Sequence, residues 1–311
     1  MSRRRLLHSG AASLALMPSL VWAQGPPPPP ADDKIATLND AAQRLTVNVS
    51  LNGKGPFRFV VDTGADRTVI AEAIAAQLGL VPGEQVMVQG VVRTVPSRTV
   101  PLRELSVGPV LRKNLAVPIL PRSLLQADGY LGLDAIDGYR VTLDFRNHVL
   151  EIGEPRADFS FFYRPQESRV PVYGRGGHLR SVDCFVGGVR TTAFLDTGAA
   201  VSVGNVELFN ALYDRDPGYG RVGVVSLSGV TGGSMDGGVT LVDRIKLKDL
   251  MFSNCSLVIA DLQIFDIWDL AKRPALLIGM NILRQFARVS IDYGTRELRF
   301  DLASLAIAMK S

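Results

Sequence analysis

The sequence predicts an all-β protein of two similar lobes with only a few short helices. Three observations carry that expectation. A strand, a glycine turn and a second strand occur twice: residues 45–51, Asn52-Gly53-Lys54-Gly55 and 57–61, then residues 182–186, Gly187-Gly188 and 189–195. Alternating runs on either side of a glycine turn are the mark of a β-hairpin. The two halves also close alike. Tyr130-Leu131-Gly132 parallels Leu277-Ile278-Gly279, and each leads into an acid-bearing strand (141–145, 289–293) and a last strand (150–152, 298–300). Helical spacing is confined to residues 71–78, 206–213 and a short tail.

In chain order, residues 1–23 read as an export signal. They hold Arg3, Arg4 and Arg5, an apolar core over 11–21 and Val21-Trp22-Ala23 as a small-residue cleavage site before Gln24. The apolar run is short for a bilayer span, and no other segment reads as transmembrane. Residues 2–7 resemble a twin-arginine signal without its usual Phe. The expected location is periplasmic or secreted, with cleavage after Ala23 and no stable membrane span afterwards. A Pro-rich linker over 24–39 follows, with the run 26–30 extended as polyproline. The first lobe then covers 40–155, an interlobe linker 156–169, the second lobe 170–302 and a tail helix 303–311.

Composition excludes several function classes. The 311 residues carry a net charge of +4, but three basic residues sit in the signal. Without them 31 basic residues face 30 acidic ones, too even a balance for a nucleic-acid partner. The three histidines, His8, His148 and His178, provide neither a His-rich metal site nor a Ser/His/Asp set. No phosphate loop or dinucleotide fingerprint occurs, so neither metal nor cofactor is expected. An oxidising compartment would permit a bond between Cys184 and Cys255; two small buried apolar side chains are the alternative. Asp134, Asp144 and Asp292 read as structural or solvated.

The chemistry lies where two apolar strands run into the same tetrapeptide, Asp62-Thr63-Gly64-Ala65 and Asp196-Thr197-Gly198-Ala199. One Asp-Thr-Gly is often only a turn. Two copies in matching halves call for another reason. Related halves pair about a pseudo-twofold axis and bring equivalent positions together, so Asp62 and Asp196 are expected to meet. Two carboxyls about 3 Å apart cannot both ionise and hold one proton between them. The ionised member can take a proton from water while the other donates to a substrate carbonyl oxygen. Gly64 and Gly198 are expected to turn the chain sharply and aim N–H groups at the carboxyls. Thr63 and Thr197 are expected to hydrogen-bond across to the opposite half.

These residues resemble the retropepsin-like aspartic peptidases, in a single-chain, pepsin-like arrangement of two lobes around a cleft. The family's hydrophobic-hydrophobic-Asp-Thr-Gly-Ala pattern is matched by residues 60–65 and 194–199, and its later hydrophobic-hydrophobic-Gly pattern by 130–132 and 277–279. The resemblance implies an aspartic endopeptidase with Asp62 and Asp196 catalytic and a polypeptide substrate. Because one chain carries both acids, it also implies a monomer. Asp66, Thr68 and Val69 continue the retroviral form of the motif, which implies a substrate-backbone role for Asp66; the second half has Ala200 there.

Family members close glycine-bearing hairpins over the bound peptide. Gly90 and Val91 in one half, and Gly229, Val230, Gly232 and Gly233 in the other, stand where such tips are expected. Ala65 and Ala199 replace a hydroxyl that would depress the carboxyl pKa values, so activity is expected to reach near-neutral pH. The rival reading is a non-catalytic peptide-binding or inhibitory module using the same cleft; retention of both aspartates speaks against it.

Overall fold

A computed structural model describes residues 33–36, 38–39, 44–155, 167–172 and 180–302. The signal segment, most of both linkers, His178 and the tail lie outside the described residues. Among the described residues the chain is strands in three sheets with six short helices, the two-lobed all-β architecture that the sequence predicts.

Each lobe begins with the expected hairpin. Leu45–Leu51 pairs antiparallel with Lys54–Val61, and Arg180–Val186 with Val189–Leu195. Asn52 and Gly53 take φ of 52° and 74°, and Gly187 and Gly188 take 52° and 82°. Positive φ at both central residues is the turn whose twist matches that of paired strands.

The two lobe sheets then repeat one strand order. In the first it runs Leu45–Leu51, Lys54–Val61, Gly129–Leu131, Val69–Ala71, Val110–Leu120, Thr94–Val107, Gln85–Gln89, with Leu38–Asn39 added at one edge. In the second it runs Arg180–Val186, Val189–Leu195, Ala275–Ile278, Val203–Gly204, Leu250–Ile259, Ser234–Leu247, Arg221–Ser228. Both sheets curl back on themselves, since Leu51 also pairs with Leu105 and Val186 with Ile245. The curling encloses a core of Val, Leu, Ile and Phe side chains that runs through both lobes.

A third sheet joins the halves. Its two central strands, Arg140–Asp144 and Phe286–Asp292, pair antiparallel around Thr142 and Ser290, whose hydroxyls meet at 2.8 Å. Val149–Gly153 and Glu297–Leu302 flank that pair symmetrically. One edge comes from the expected Pro-rich linker, where Asp33–Ala36 pairs with Val149–Gly153; the other runs from the end of the expected interlobe linker into the start of the second lobe, where Glu167–Pro171 pairs with Glu297–Leu302. A short edge strand carries no pattern of its own; the neighbouring backbone recruits it.

Cys184 and Cys255 are both free. They stand opposite Leu247 and Val242 of one strand, five residues apart. That offset spans about 17 Å, far beyond the roughly 7 Å that a disulfide tolerates between Cα atoms.

Candidate active site

Each motif aspartate stands where a buried strand ends. Asp62 N–H donates to Leu131 O and Asp196 N–H to Ile278 O, both at 3.0 Å, continuing the parallel pairing of the strands behind them. The turn that follows brings a donor back to each carboxyl. Gly64 N–H reaches Asp62 Oδ1 at 2.9 Å, and Gly198 N–H reaches Asp196 Oδ1 at 2.8 Å.

The glycines are required by space rather than by φ, which is not positive at either. A Cβ on Gly64 would lie 2.8 Å from Asp196 Cγ, and one on Gly198 only 2.6 Å from Asp62 Cγ. Each loop therefore makes room for the other lobe's carboxyl, and the two carboxyls lie beside each other, near enough for each to shift the other's proton affinity.

The threonines tie the loops together. Thr63 N–H donates to Thr197 Oγ1 at 3.2 Å and Thr197 N–H to Thr63 Oγ1 at 3.1 Å. Each hydroxyl then donates onward into the opposite lobe, Thr63 Oγ1 to Leu195 O at 3.2 Å and Thr197 Oγ1 to Val61 O at 2.6 Å. All four bonds cross between the lobes and both side chains are buried, where a lost partner costs most.

A second layer, not recognised from sequence, holds each loop from behind. Thr68 Oγ1 donates to Asp134 Oδ1 at 2.6 Å and accepts from Gly132 N–H at 3.1 Å. In the second lobe Ser202 Oγ bonds Asn281 Oδ1 at 2.7 Å and accepts from Gly279 N–H at 2.9 Å. The signal was the register of the repeats: Thr68 and Ser202 each follow their aspartate by six residues, and Asp134 and Asn281 each follow the later glycine by two. Gly132 and Gly279 must be glycine because the loop backbone passes over them, at 2.5 Å from a Cβ to Arg67 C and to Val201 O respectively.

Burial, followed by the negative charge of Asp196, pushes the Asp62 carboxyl well above its ordinary range; the Gly64 N–H and the Arg44 guanidinium oppose the rise. Burial likewise raises Asp196, against hydrogen bonds from Gly198 N–H, Asp62 and Ala199 N–H. Arg44 is itself buried, donating to Tyr130 Oη and to Leu125 O at 3.3 Å. Asp196 is buried, whereas Asp62 keeps part of its surface open. The pair can thus hold one proton at a solvent-reached site, the arrangement that lets one member act as acid and the other as base.

The expected tips are also present. Gly90 and Val91 lie between Gln85–Gln89 and Thr94–Val107; Gly229, Val230, Gly232 and Gly233 lie between Arg221–Ser228 and Ser234–Leu247. Asp66 is exposed, and its carbonyl accepts from Asp134 N–H at 3.1 Å. Ala200 O accepts from Asn281 N–H at 3.2 Å, so the backbone is symmetric where the side chains are not. Among the described residues no helix is long and apolar enough to cross a membrane.

Residues 47–135 and 182–282, together more than half of the chain, match the family model described as Aspartyl protease. DNA damage-inducible protein 1 of Yarrowia lipolytica (strain CLIB 122 / E 150) is 31% identical over 126 residues, 37% of this chain and 29% of that protein. The chain therefore spans less than a third of that relative's length. Two motif-bearing lobes of one strand order, two facing carboxyls and a family match over both halves agree: the chain belongs to the aspartyl proteases and is retropepsin-like.

Proposed function

We propose that the protein is an aspartic endopeptidase in which Asp62 and Asp196 activate a water between them to hydrolyse peptide bonds. The supporting observation is the pair of facing carboxyls, each bound by its own loop's glycine N–H and each raised by burial. The ionised member takes a proton from water as the water oxygen attacks the scissile carbonyl carbon. The protonated member gives its proton to the carbonyl oxygen, forming a tetrahedral diol. Collapse of the diol breaks the C–N bond, with a proton passing to the leaving nitrogen. Thr63 and Thr197 keep the carboxyls facing through their interlobe bonds.

The substrate in this reading is an extended polypeptide lying between the aspartates and the two hairpins. Strand-like contacts come from Gly90, Val91, Gly229, Val230, Gly232 and Gly233, with Asp66 at one end. One chain supplies both acids, so a monomer suffices. We further propose export to the periplasm or beyond, with a mature N-terminus at Gln24; N-terminal sequencing of the processed protein checks this.

The test is cleavage of a mixed peptide library by the mature protein, compared with Asp62→Asn and Asp196→Asn. Each variant is expected to lose at least about a hundredfold in kcat/KM, the lower end of what general acid–base catalysis supplies. Equal cleavage by all three would sink the mechanism. Peptide binding without cleavage by the wild type would favour a non-catalytic peptide-binding module.

A further inference from the structure

The two facing carboxyls are backed differently. In the first lobe the antiparallel pairing of Leu45–Leu51 with Lys54–Val61 sets Thr46 opposite Val60. Carried on by two residues, that register sets Arg44 opposite Asp62, and residues directly opposite share a face of the sheet. Tyr130 stands opposite Val60 on the other side, so Arg44, Asp62 and Tyr130 belong to one face. Arg44 and Tyr130 are both buried there.

Tyr130 holds the guanidinium in place. Arg44 Nη1 donates to Tyr130 Oη, and Arg44 Nη2 donates to Leu125 O at 3.3 Å. Tyr130 Oη donates to that same carbonyl at 3.4 Å. The guanidinium carbon also lies over the Tyr130 ring, 5.2 Å from its centre. An arginine gripped along its planar fork keeps its charge in one place, unlike one that trails in water. The grip is close to the chemistry, because the Asp62 N–H bonds to Leu131 O, next to Tyr130 on the same strand.

The second lobe has carbon in the same place. Leu277 occupies the position of Tyr130 in the repeat and offers no hydroxyl. Phe194, two residues before Asp196, packs edge-on against Trp268 at 4.3 Å and Phe265 at 6.1 Å between ring centres. Arg180 stands opposite Phe194 but is set against Arg273 and Asp269 instead. Among the described residues, the charged and titratable groups that reach Asp62 are Asp196, Arg44 and Tyr293. Tyr293 also faces Asp137, and burial keeps its phenol neutral. The groups that act on Asp196 are Asp62 and the N–H groups of Gly198 and Ala199, with no cation among them.

Burial sets the problem that Arg44 answers. Carboxyls taken out of water resist ionising at all, yet the proposed reaction needs one of them ionised. A fixed positive charge beside one carboxyl favours that form while the site stays enclosed. We infer that Arg44, clamped by Tyr130, holds the facing carboxyls in their singly ionised form, so that one can take a proton from water while the other still carries one. This rests on the peptidase reading above. Arg44 acts through Asp62 and is a positioning residue, not a catalytic one.

The test is the pH profile of peptide-library cleavage by the full chain carrying Arg44→Met, Arg44→Lys or Tyr130→Phe. Loss of the positive charge makes the first ionisation of the pair harder, so the acid limb of kcat/KM should move to higher pH by about 1 unit in Arg44→Met. Arg44→Lys keeps the charge and should recover at least about half of that shift. Tyr130→Phe keeps ring and charge but frees the guanidinium, and should move the limb the same way by less. An acid limb that stays put in Arg44→Met, with kcat/KM lowered by one factor at every pH, would overturn the proposal, since a merely structural loss does that. A second readout needs no catalysis: the aspartate carboxyl carbons are followed by NMR as the pH is changed. The lower midpoint of the pair should rise by about 1 unit in Arg44→Met, and an unchanged midpoint would sink the idea. Should Arg44→Met fail to fold, Tyr130→Phe decides, and a midpoint equal to that of the wild type counts against the clamp. If no form cleaves peptide, the peptidase reading fails while the titration still judges Arg44.

Discussion

Gly64 has no room for a side chain because the Asp196 carboxyl of the other lobe occupies that space, with its Cγ 2.8 Å from where a Cβ would stand. The same holds for Gly198 and Asp62 at 2.6 Å. The requirement is for carboxyl against backbone, and neither carboxyl can retreat without breaking its bond from the loop N–H. Gly64→Ala is therefore expected to displace the Asp196 carboxyl. Overpacking at a buried site costs about 1–3 kcal/mol, read as a lower Tm. Loss of kcat should exceed that loss of stability, since a displacement of about 1 Å costs roughly a hundredfold in rate. A variant that melts early yet turns over normally would refute this.

Thr63 and Thr197 form one reciprocal unit. Each hydroxyl accepts an N–H from the other loop and donates to a carbonyl beyond it. Thr197→Val keeps the shape and orphans the Thr63 N–H and the Val61 carbonyl. The expected cost is about 1–3 kcal/mol, with Thr197→Ser recovering most of it. In a double-mutant cycle with Thr63→Val, the two losses should couple by at least about 0.5 kcal/mol. Strict additivity in denaturant unfolding would show that the loops are held by something else.

The dyad also contributes to the pH dependence of stability. Burial and the neighbouring carboxyl raise Asp62, and burial raises Asp196, above the ordinary value of 3.8. A carboxyl raised on folding binds its proton more tightly in the folded chain. Its stabilising contribution is full below that ordinary value and is lost as pH rises through the raised one. Asp62→Asn removes one such group, so its Tm should exceed that of the wild type by more at about pH 7 than at about pH 4. Thermal unfolding of both proteins across that window checks the sign. A difference that stays constant or grows toward acid would contradict it. The same retained proton is what would carry cleavage toward neutral pH, with Ala65 and Ala199 supplying no hydroxyl to lower it.

The features legible in the sequence were those written locally and twice. The hairpins at 45–61 and 180–195 combine alternation with a glycine turn, and Val189–Leu195 appears with the expected bounds. The aspartates were legible because an acid ending an apolar strand is costly unless it has a task. Partners chosen by tertiary contact were not legible. Nothing around Arg93 marks it for Thr231, 138 residues away, and nothing near Gln263 points to Thr94. Asp134 is a middle case. Its spacing from Gly132 matched that of Asn281 from Gly279, but one is an acid and the other an amide, which hid their common grip on a hydroxyl. The linker-derived strands escaped notice for another reason: four or five residues show a period of two only once a partner strand sets the register.

The pairing of Thr142 with Ser290 at the centre of the joining sheet has one more consequence. Both central strands belong to one polypeptide, so each half meets the other at a local concentration set by the tether rather than by how much protein is present. Dilution does not take the carboxyl pair apart. A chain that loses one aspartate loses its own carboxyl pair, because both acids come from that chain. The two halves are also free to drift apart in sequence, as Asp66 and Ala200, or Asp134 and Asn281, already have.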